Sequence, residues 1–399
     1  MITIKKPLFE ELISISNLLL AIENSAKHKL KRAKVRKVLA HKEQIAYRLN
    51  YLLYTGKLQF PKHIGVRIND GIERKTRVIV KPHYLYELIL QWAVIQVLNP
   101  YLMRGMYAWS CGSVADRGAV YGKNYIAKYI RENPKKIKYA VKADIHHFFE
   151  SVDVERLKAI FKKMMRDVKM QEIINRILDC NLVELDGNIV DIGLPIGFYT
   201  SQHFANFYLQ EFDHFIKEQL SIECYVRYVD DFVFFGTNKK ELHEKLKKIS
   251  EYLNSIGLKL KGNYQVFRFD YIDKKTGKRK GRPIDFMGFK FYRDKTTIRR
   301  KTFIKSMRKF AKVSKLKIVD VHSARQVLCY MGYYKHSDSY NVFQARVKPL
   351  VNIGKCKKII SNYGKRKEKK NAIKLEKRRK SCKTSWGWLH TFWQWSLLP

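Results

Sequence analysis

The hydrophobic positions of the chain recur with periods typical of amphipathic helices in some stretches and of strands in others. Apolar residues at helical spacing in residues 8–54 predict a helical N-terminal region, and residues 88–98 predict a further helix. Residues 64–68 and 77–80 alternate between apolar and polar side chains, which is typical of strands. Between them, residues 69–71 read Asn-Asp-Gly, which favours a hairpin turn.

The middle of the chain predicts strands and helices in mixed order. The predicted elements are a strand in residues 139–149, a helix capped by Ser151 or Asp153, a helix after Ser201, two strands joined by a tight turn in residues 224–235, a helix in residues 238–253 and a strand in residues 286–292. This order predicts an α+β fold with an antiparallel sheet. After Lys301 the chain becomes helical and basic, and the stretch from Lys355 leads into a tryptophan-rich terminus.

The composition indicates a folded protein with a strongly basic surface. The 399 residues contain 80 Lys and Arg against 36 Asp and Glu, which gives a formal net charge of +44. With 13% aromatic residues the chain can bury enough surface to fold, so disorder is excluded for most of its length. Such an excess of positive charge favours a polyanionic partner, with nucleic acid as the first hypothesis and an anionic membrane surface as the alternative.

Two further features bear on where the protein acts. No uninterrupted apolar run is long enough for a transmembrane helix, and we expect no membrane partner. The 6 cysteines stand far apart in the sequence, which fits neither a disulfide framework nor a metal-ligand spacing. We therefore expect a cytoplasmic protein with unreactive thiols.

Acidic residues among apolar neighbours are the informative positions in so basic a chain, because an unpaired buried carboxylate is costly. Asp144 ends the apolar part of KADIHHFF, and Asp230 and Asp231 lie at the turn of YVDD. Carboxylates that converge from neighbouring strands repel each other unless a cation lies between them, and Mg²⁺ suits an all-oxygen site. Two such ions about 3.5–4 Å apart would support phosphoryl transfer. The alternative is the ordinary turn chemistry of an Asp-Asp pair.

The order of these motifs resembles that of reverse transcriptases. KADIHHFF is similar to the first palm motif of that family, LPIGFYTSQ to the second and YVDD to the third. RKTRVIVKP resembles the fingers segment and FMGF the primer grip, so the resemblance covers residues 74–341. It implies an RNA-directed DNA polymerase with a right-hand architecture. The implied parts are an N-terminal helical region with fingers in residues 1–138, a palm with an interleaved fingers segment in 139–300, a helical thumb in 301–354 and a basic Trp-rich tail in 355–399.

The second motif departs from the usual family pattern. It has Ile196-Gly197 where most members have Gln-Gly, and Ser201-Gln202 where most have Ser-Pro. This departure is similar to the reverse transcriptases of diversity-generating retroelements, as are the stretches SQHFANFYLQEFDHFIK and GYYKHSDSYN. Membership of that subgroup implies a structured template-repeat RNA, copying that is error-prone at adenines, and a small basic accessory protein as partner. It also implies a bacterial or phage-encoded gene.

Other identities stay open at this point. A reverse transcriptase of a retron, a group II intron or a phage-defence system would carry the same acidic triad. The alternative from a different class is a non-catalytic RNA-binding protein on a polymerase scaffold. The intact triad argues against that alternative, because a binding protein would gain nothing from buried carboxylates near phosphate.

The family resemblance assigns the chemistry to the acidic triad. It implies that Asp144 and Asp230 bind two Mg²⁺ ions, with Mn²⁺ as the alternative, and that Asp231 completes the triad. The carbonyl of Ile145 is implied to be a further ligand. Template RNA, the RNA–DNA hybrid and deoxynucleoside triphosphates are the implied substrates and partners.

Further residues are implied to bind the nucleotide, the primer or the duplex. The nucleotide-binding residues are Lys75, Arg77, Phe149, Ile196, Gly197 and Gln202; the primer-grip residues are Met287 and Gly288; the thumb residues are Lys335, His336, Tyr340 and Asn341. Phe149 is implied to be a steric gate against a ribose 2′-hydroxyl, and its alternative is a role in the core. The alternative for Arg77 is a solvated basic strand, and for the thumb residues a plain helical hairpin.

Two assignments stay open. The family often carries a lysine that protonates pyrophosphate, and Lys259 and Lys261 are both available for that role. The basic tail with its tryptophans either binds single-stranded RNA through charge and stacking or docks onto the rest of the chain.

Overall fold

Helices surround small antiparallel sheets in this protein, whose computed structural model describes residues 3–69, 76–366 and 373. The helices are α1 Phe9–Ile13, α2 Ile15–Ala26, α3 Ala33–Ala40, α4 Lys42–Tyr54, α5 Ile89–Arg104, α6 Ala119–Glu132, α7 Phe148–Ser151, α8 Val154–Met164, α9 Val168–Leu178, α10 Tyr199–Tyr208, α11 Gln210–His214, α12 Lys239–Ser255, α13 Arg300–Ser314, α14 Val321–Lys335 and α15 Tyr340–Val342. Wider helical turns occur at Phe215–Gln219 and Phe343–Val347, a tighter one occurs at Asp179–Asn181, and residues 353–366 are helical. The segment Tyr84–Leu88 before α5 is kinked, because Leu85 and Tyr86 have non-helical backbone angles. None of the described helices is both long and apolar enough to cross a membrane.

The strands are short and pair antiparallel. They are β1 Gly65–Asn69, β2 Thr76–Val80, β3 Tyr139–Asp144, β4 Leu182–Leu185, β5 Asn188–Asp191, β6 Tyr225–Tyr228, β7 Asp231–Gly236, β8 Gln265–Arg268, β9 Tyr271–Ile272, β10 Arg279–Lys280, β11 Ile284–Phe286, β12 Phe289–Phe291 and β13 Thr296–Ile298. This mixture of helices and antiparallel sheets is consistent with the predicted α+β class.

A four-stranded sheet in the order β6-β7-β3-β8 lies at the centre of the fold. Successive side chains of a strand point to opposite faces, and both faces of this sheet are covered. Val141 and Phe234 pack into one hydrophobic cluster, whereas Ala140 and Val233 pack into a second cluster. Burial on both faces explains why the sequence of β7 is continuously apolar after its first residue rather than alternating.

The N-terminal region is helical, as the spacing of its apolar residues predicts. α2 packs against α4 and α5, and Leu18 of α2 and Ala93 of α5 are fully buried. The predicted hairpin is also present, because β1 pairs antiparallel with β2 and places Asn69 opposite Thr76. Residues 70–75, which join the two strands and include part of the predicted turn, lie outside the described residues.

The strand predicted over residues 139–149 is too long. β3 ends at Asp144, and the left-handed conformation of His147 then turns the chain into α7. Of the two predicted caps, Asp153 is the one that begins α8, because its carboxylate accepts a hydrogen bond from the N–H of Arg156 at 2.9 Å.

Two other predicted elements are interrupted. The strand predicted over residues 286–292 is a hairpin of β11 and β12, because Met287 and Gly288 both have positive φ and reverse the chain. The helix expected after Ser201 begins earlier, at Tyr199, and α10 stops before Leu209, after which α11 continues.

The C-terminal helices have a hydrophobic cluster of their own. α13 packs against α14, and Phe310, Val327 and Tyr334 are buried in this cluster. Cys356, in the predicted tail, belongs to the same cluster. The tryptophans of the tail lie outside the described residues.

Phe310→Ala should destabilise the C-terminal helices locally. The ring is fully buried near Tyr330 and Tyr334, so the substitution leaves a cavity, which costs about 3–5 kcal/mol. Because this cluster is separate from those of the central sheet, amide hydrogen exchange should rise in α13 and α14 before it rises in β3 and β7. Ile318→Ala, at an exposed position between the two helices, is the control. An equal loss of protection throughout the chain would show that the cluster is not independent.

Candidate active site

The end of β3 and the turn between β6 and β7 bring the predicted acidic residues to one edge of the central sheet. Asp144, the last residue of β3, lies directly opposite Asp231, the first residue of β7. Opposite side chains of an antiparallel pair point to the same face, with their Cβ atoms about 4.5–5.5 Å apart. Asp230 precedes Asp231 in the turn, and its carbonyl accepts a hydrogen bond from the N–H of Ile145 at 3.3 Å. The three acidic residues therefore lie beside one another at this edge.

A further chain segment closes on the end of β3. The N–H of His146 donates to the carbonyl of Lys259 at 2.8 Å, and the N–H of Lys261 donates to the carbonyl of Asp144 at 2.9 Å. The ammonium group of Lys261 also lies 2.9 Å from Oδ2 of Asp144. Lys261 thus contacts the acidic cluster through its side chain, whereas Lys259 contacts the strand end through its backbone.

The acidic cluster holds negative charge in a poorly solvated position. Burial, reinforced by the charges of Asp231 and Asp144, raises the pKa of Asp230 to about 6. Burial and the charge of Asp144 also raise the pKa of Asp231. Oδ1 of Asp144 is buried and has no hydrogen-bond partner among the described residues. Charge and donor set together fit a hard divalent cation such as Mg²⁺.

The two phenylalanines that follow the first acidic residue differ in exposure. Phe148 is buried in the core, whereas Phe149 is half-buried. The carbonyl of Phe149 accepts a hydrogen bond from the N–H of Leu194 at 2.8 Å. A Cβ on the neighbouring Gly193 would collide with that same carbonyl. The backbone of Phe149 is therefore held by the second motif, and its ring is the more accessible of the two.

The second motif is also hydrogen-bonded to the hairpin that carries Arg77. The N–H of Val80, at the end of β2, donates to the carbonyl of Ile196 at 2.9 Å. Gly197 has a φ of 123°, and a side chain there would collide with the carbonyl oxygen of Val80. The glycine thus permits the close approach of another strand of the same chain, which the sequence motif did not reveal.

The predicted primer-grip and thumb residues come from neighbouring elements. Met287 and Gly288 form the turn between β11 and β12, and the ring of Tyr333 in α14 packs on Gly288. The predicted residues that are exposed are Arg77, Gln202, Lys335, Tyr340 and Asn341; His336 is half-buried, and Lys75 lies outside the described residues.

A buried ion pair next to the turn that contains Asp230 was not predicted from the sequence. Arg227 and Asp213 are both fully buried, and 2.6 Å separates Nη2 of the arginine from Oδ2 of the aspartate. The available signal in the sequence is an arginine inside an otherwise apolar strand, CYVRYVDDFVFF. That signal does not identify the partner, which lies on α11.

A second buried polar cluster, also unpredicted, consists of His63, Glu87 and Cys180. These residue types can bind zinc, and their ligand atoms lie within 4.8 Å of one another. Nε2 of His63 lies 2.7 Å from Oε1 of Glu87, and Oε2 of Glu87 accepts a hydrogen bond from the N–H of His83. The carboxylate is therefore already satisfied by hydrogen bonds. The sequence gives no sign of this cluster, because its members come from three separate segments.

Comparison with protein families agrees with the geometry of the acidic edge. The family model for reverse transcriptase (RNA-dependent DNA polymerase) matches residues 67–291, which is more than half of the chain. A comparison with curated proteins finds no match. The matched region contains both strands that meet at the acidic edge, the second motif and the hairpin turn of FMGF. A match of this extent shows that the chain belongs to the reverse transcriptase family and is an RNA-directed DNA polymerase.

Proposed function

We propose that the acidic cluster is the metal-dependent catalytic centre of this polymerase. Asp144 and Asp230, with the backbone carbonyl of Ile145, would hold two Mg²⁺ ions, with Mn²⁺ as the alternative, and Asp231 adds the negative charge that attracts them. The observation that carries the proposal is Oδ1 of Asp144, a buried acceptor with no hydrogen-bond partner among the described residues. The raised pKa values of the two neighbouring carboxyls support it, because burial and nearby negative charge make ionisation of these groups costly without a cation.

When bound, the two ions would supply activation of the primer 3′-hydroxyl and stabilisation of the charge that develops as pyrophosphate leaves. The protein's own residues bind and orient the reactants. Arg77 contacts the triphosphate, for which its planar guanidinium is suited. Lys75, Gly197 and Gln202 complete the nucleotide site. Until the reactants bind, Lys261 neutralises part of the charge of Asp144.

The parts of the chain fit a right-hand polymerase. The central sheet with the acidic edge would be the palm, in residues 139–300, and the N-terminal helices with the β1–β2 hairpin would include the fingers, in residues 1–138. The separate cluster of α13 and α14 supports a thumb in residues 301–354. Met287 and Gly288 would hold the primer end. The residues that would track the duplex are Lys335, His336, Tyr340 and Asn341.

Asp230→Asn or Asp231→Asn should abolish primer extension while RNA affinity stays nearly unchanged. Each substitution removes negative charge from the proposed metal site and leaves the basic surface intact. Primer extension on an RNA template across Mg²⁺ concentrations measures the first effect, and RNA binding at fixed salt measures the second. Asp294→Asn, at an exposed ion pair with Arg279, is the control. Wild-type polymerisation by both acidic-site variants would overturn the proposal.

Phe149→Ala should allow ribonucleotides to compete with deoxynucleotides. The half-buried ring is proposed to occupy the space where a 2′-hydroxyl would lie, and loss of such a shape contact changes relative kcat/KM by about 10- to 200-fold. The measurement is the ratio of kcat/KM for ribo- and deoxynucleotides. Phe148→Leu alters the buried neighbouring ring and serves as the control for stability. An unchanged ratio in Phe149→Ala would assign that ring to the core instead.

The second motif suggests a more specific substrate. We propose that the enzyme copies a structured template-repeat RNA with frequent errors opposite adenine, together with a small basic accessory protein. Ile196 supports this, because its half-buried aliphatic side chain offers no hydrogen bond to a new base pair. Selection of the correct nucleotide then depends on shape, and a shape contact discriminates by only about 1–3 kcal/mol.

Ile196→Gln should lower misincorporation opposite template adenine by up to about 10-fold, because the amide adds hydrogen bonds near the new base pair. The measurement is the mismatch frequency per template base in cDNA made with the accessory protein supplied. Ile189→Gln, at an exposed position of β5, is the matched control. If the wild-type enzyme copies adenine as accurately as the other bases, a reverse transcriptase of another bacterial class, such as a retron, becomes the better description.

A further inference from the structure

Arg227 connects the buried interior of the protein directly to the acidic turn. Its Nε and Nη2 donate to the two carboxylate oxygens of Asp213 at 2.8 and 2.6 Å. Its Nη1 donates to Oδ1 of Asn206 at 3.1 Å and to the carbonyl of Val229 at 2.9 Å. Val229 immediately precedes Asp230, so the guanidinium group lies one peptide away from a proposed metal ligand.

The residue that Arg227 holds has an unfavourable backbone conformation. Val229 has a φ of 61°, in the left-handed region that a β-branched residue rarely adopts. Such a conformation persists only where the surrounding structure enforces it. Arg227 restrains the carbonyl of Val229, and a hydrogen bond from Ile145 restrains the carbonyl of the next residue, Asp230.

The same turn also packs on Gly112. A Cβ at Gly112 would collide with the side chain of Val229 and lie 2.7 Å from its backbone nitrogen. Nδ2 of Asn206 donates to the carbonyl of Gly112 at 2.8 Å, while its Oδ1 accepts from Arg227. Asn206 therefore bonds to both Gly112 and Arg227, each of which contacts Val229 in the turn.

The chemistry of this network indicates a geometric role. A buried ion pair contributes little net stability compared with apolar residues of similar size, because both charges lose their hydration. An arginine presents a rigid planar fork, whereas a lysine presents a single charged group and cannot bond four acceptors in these directions. The network uses that fork to join one carboxylate, one amide and the carbonyl of the strained residue.

We infer that Arg227, held by Asp213 and Asn206, is a positioning residue for polymerisation. It keeps Val229 in the left-handed conformation and thereby directs the carboxylate of Asp230 toward Asp144. The inference rests on the proposed metal-binding role of Asp230. Loss of the network would rotate that carboxylate away from its partner and weaken metal binding, with no direct effect on contacts to the nucleotide or the template.

The test is Arg227→Lys in the full-length enzyme. We expect kcat to fall by about 10- to 100-fold, because misplacement of a catalytic group by about 1 Å has effects of this size. The Mg²⁺ concentration for half-maximal activity should rise, whereas KM for the deoxynucleotide and the affinity for RNA should stay close to the wild-type values. A purely structural role would not separate these quantities.

Tyr225→Phe is the matched control. The hydroxyl of Tyr225 donates to Oδ1 of Asp213 at 2.7 Å, so its removal weakens the same buried network without removing a bond to the turn. We expect a lower Tm with kcat and Mg²⁺ dependence unchanged. If Tyr225→Phe lowers kcat in proportion to Tm, the network acts through stability alone and the inference is wrong.

Gly112→Ala perturbs the turn through a different contact and leaves the ion pair intact. It should raise the Mg²⁺ requirement as Arg227→Lys does, and either variant that folds decides the question. Wild-type Mg²⁺ dependence in the folded variants, with Asp230→Asn inactive in the same assay, would overturn this inference alone. Activity in Asp230→Asn would instead overturn the metal-binding proposal on which it rests.

Discussion

The antiparallel pairing of β3 with β7 determines where the acidic residues lie. Because Asp144 and Asp231 are directly opposite each other, their side chains must point to the same face of the sheet. A slip of one residue would turn one of them to the other face and exchange the buried side chains of the whole strand. Both faces of the sheet are packed against apolar clusters, so the packing of residues such as Val141 and Phe234 opposes that slip. The site depends on this register.

The register concentrates negative charge at one point of a protein that is otherwise strongly basic. The formal charge of +44 attracts polyanions such as nucleic acid over long distances, whereas the acidic edge is the proposed binding site of small cations. Lys261 forms an ion pair with Asp144 at this edge. Arg227, which donates to the carbonyl of Val229 in the turn, is paired with Asp213, so this pair adds no net charge to the interior. The charge of the acidic edge and the conformation of its turn thus depend on different residues.

The sequence predicts the parts of this structure that have a local signature. Helical spacing identifies the N-terminal helices, and acids within apolar runs identify Asp144 and the turn at Asp230. The end of β3 could not be predicted, because it depends on the left-handed conformation of His147, which has no periodic signal. The role of Gly197 depends on the carbonyl of Val80, which comes from a distant segment.

Other features depend entirely on contacts between distant segments. The pairing of Arg227 with Asp213 and of His63 with Glu87 follows from how helices and strands pack, and neither pair has a diagnostic spacing in the sequence. The hairpin of β11 and β12 was predicted as one strand, because a tight turn within an apolar run interrupts neither composition nor period. Local patterns therefore predict the candidate site, whereas the contacts that hold it in place become visible only in the folded structure.

The order of strands in the central sheet also affects how the protein is made. β3 pairs only with β7 and β8 within that sheet, and both of these strands follow it in the chain. A nascent chain that leaves the ribosome can pack its N-terminal helices early, but β3 then lacks β7 until Gly236 has emerged and lacks β8 until Arg268 has emerged. Pairing of strands so far apart in sequence is slow, because loop closure precedes any favourable contact. A polypeptide released before β6 would contain only Asp144 of the acidic triad and no central sheet, so that fragment would lack the candidate site.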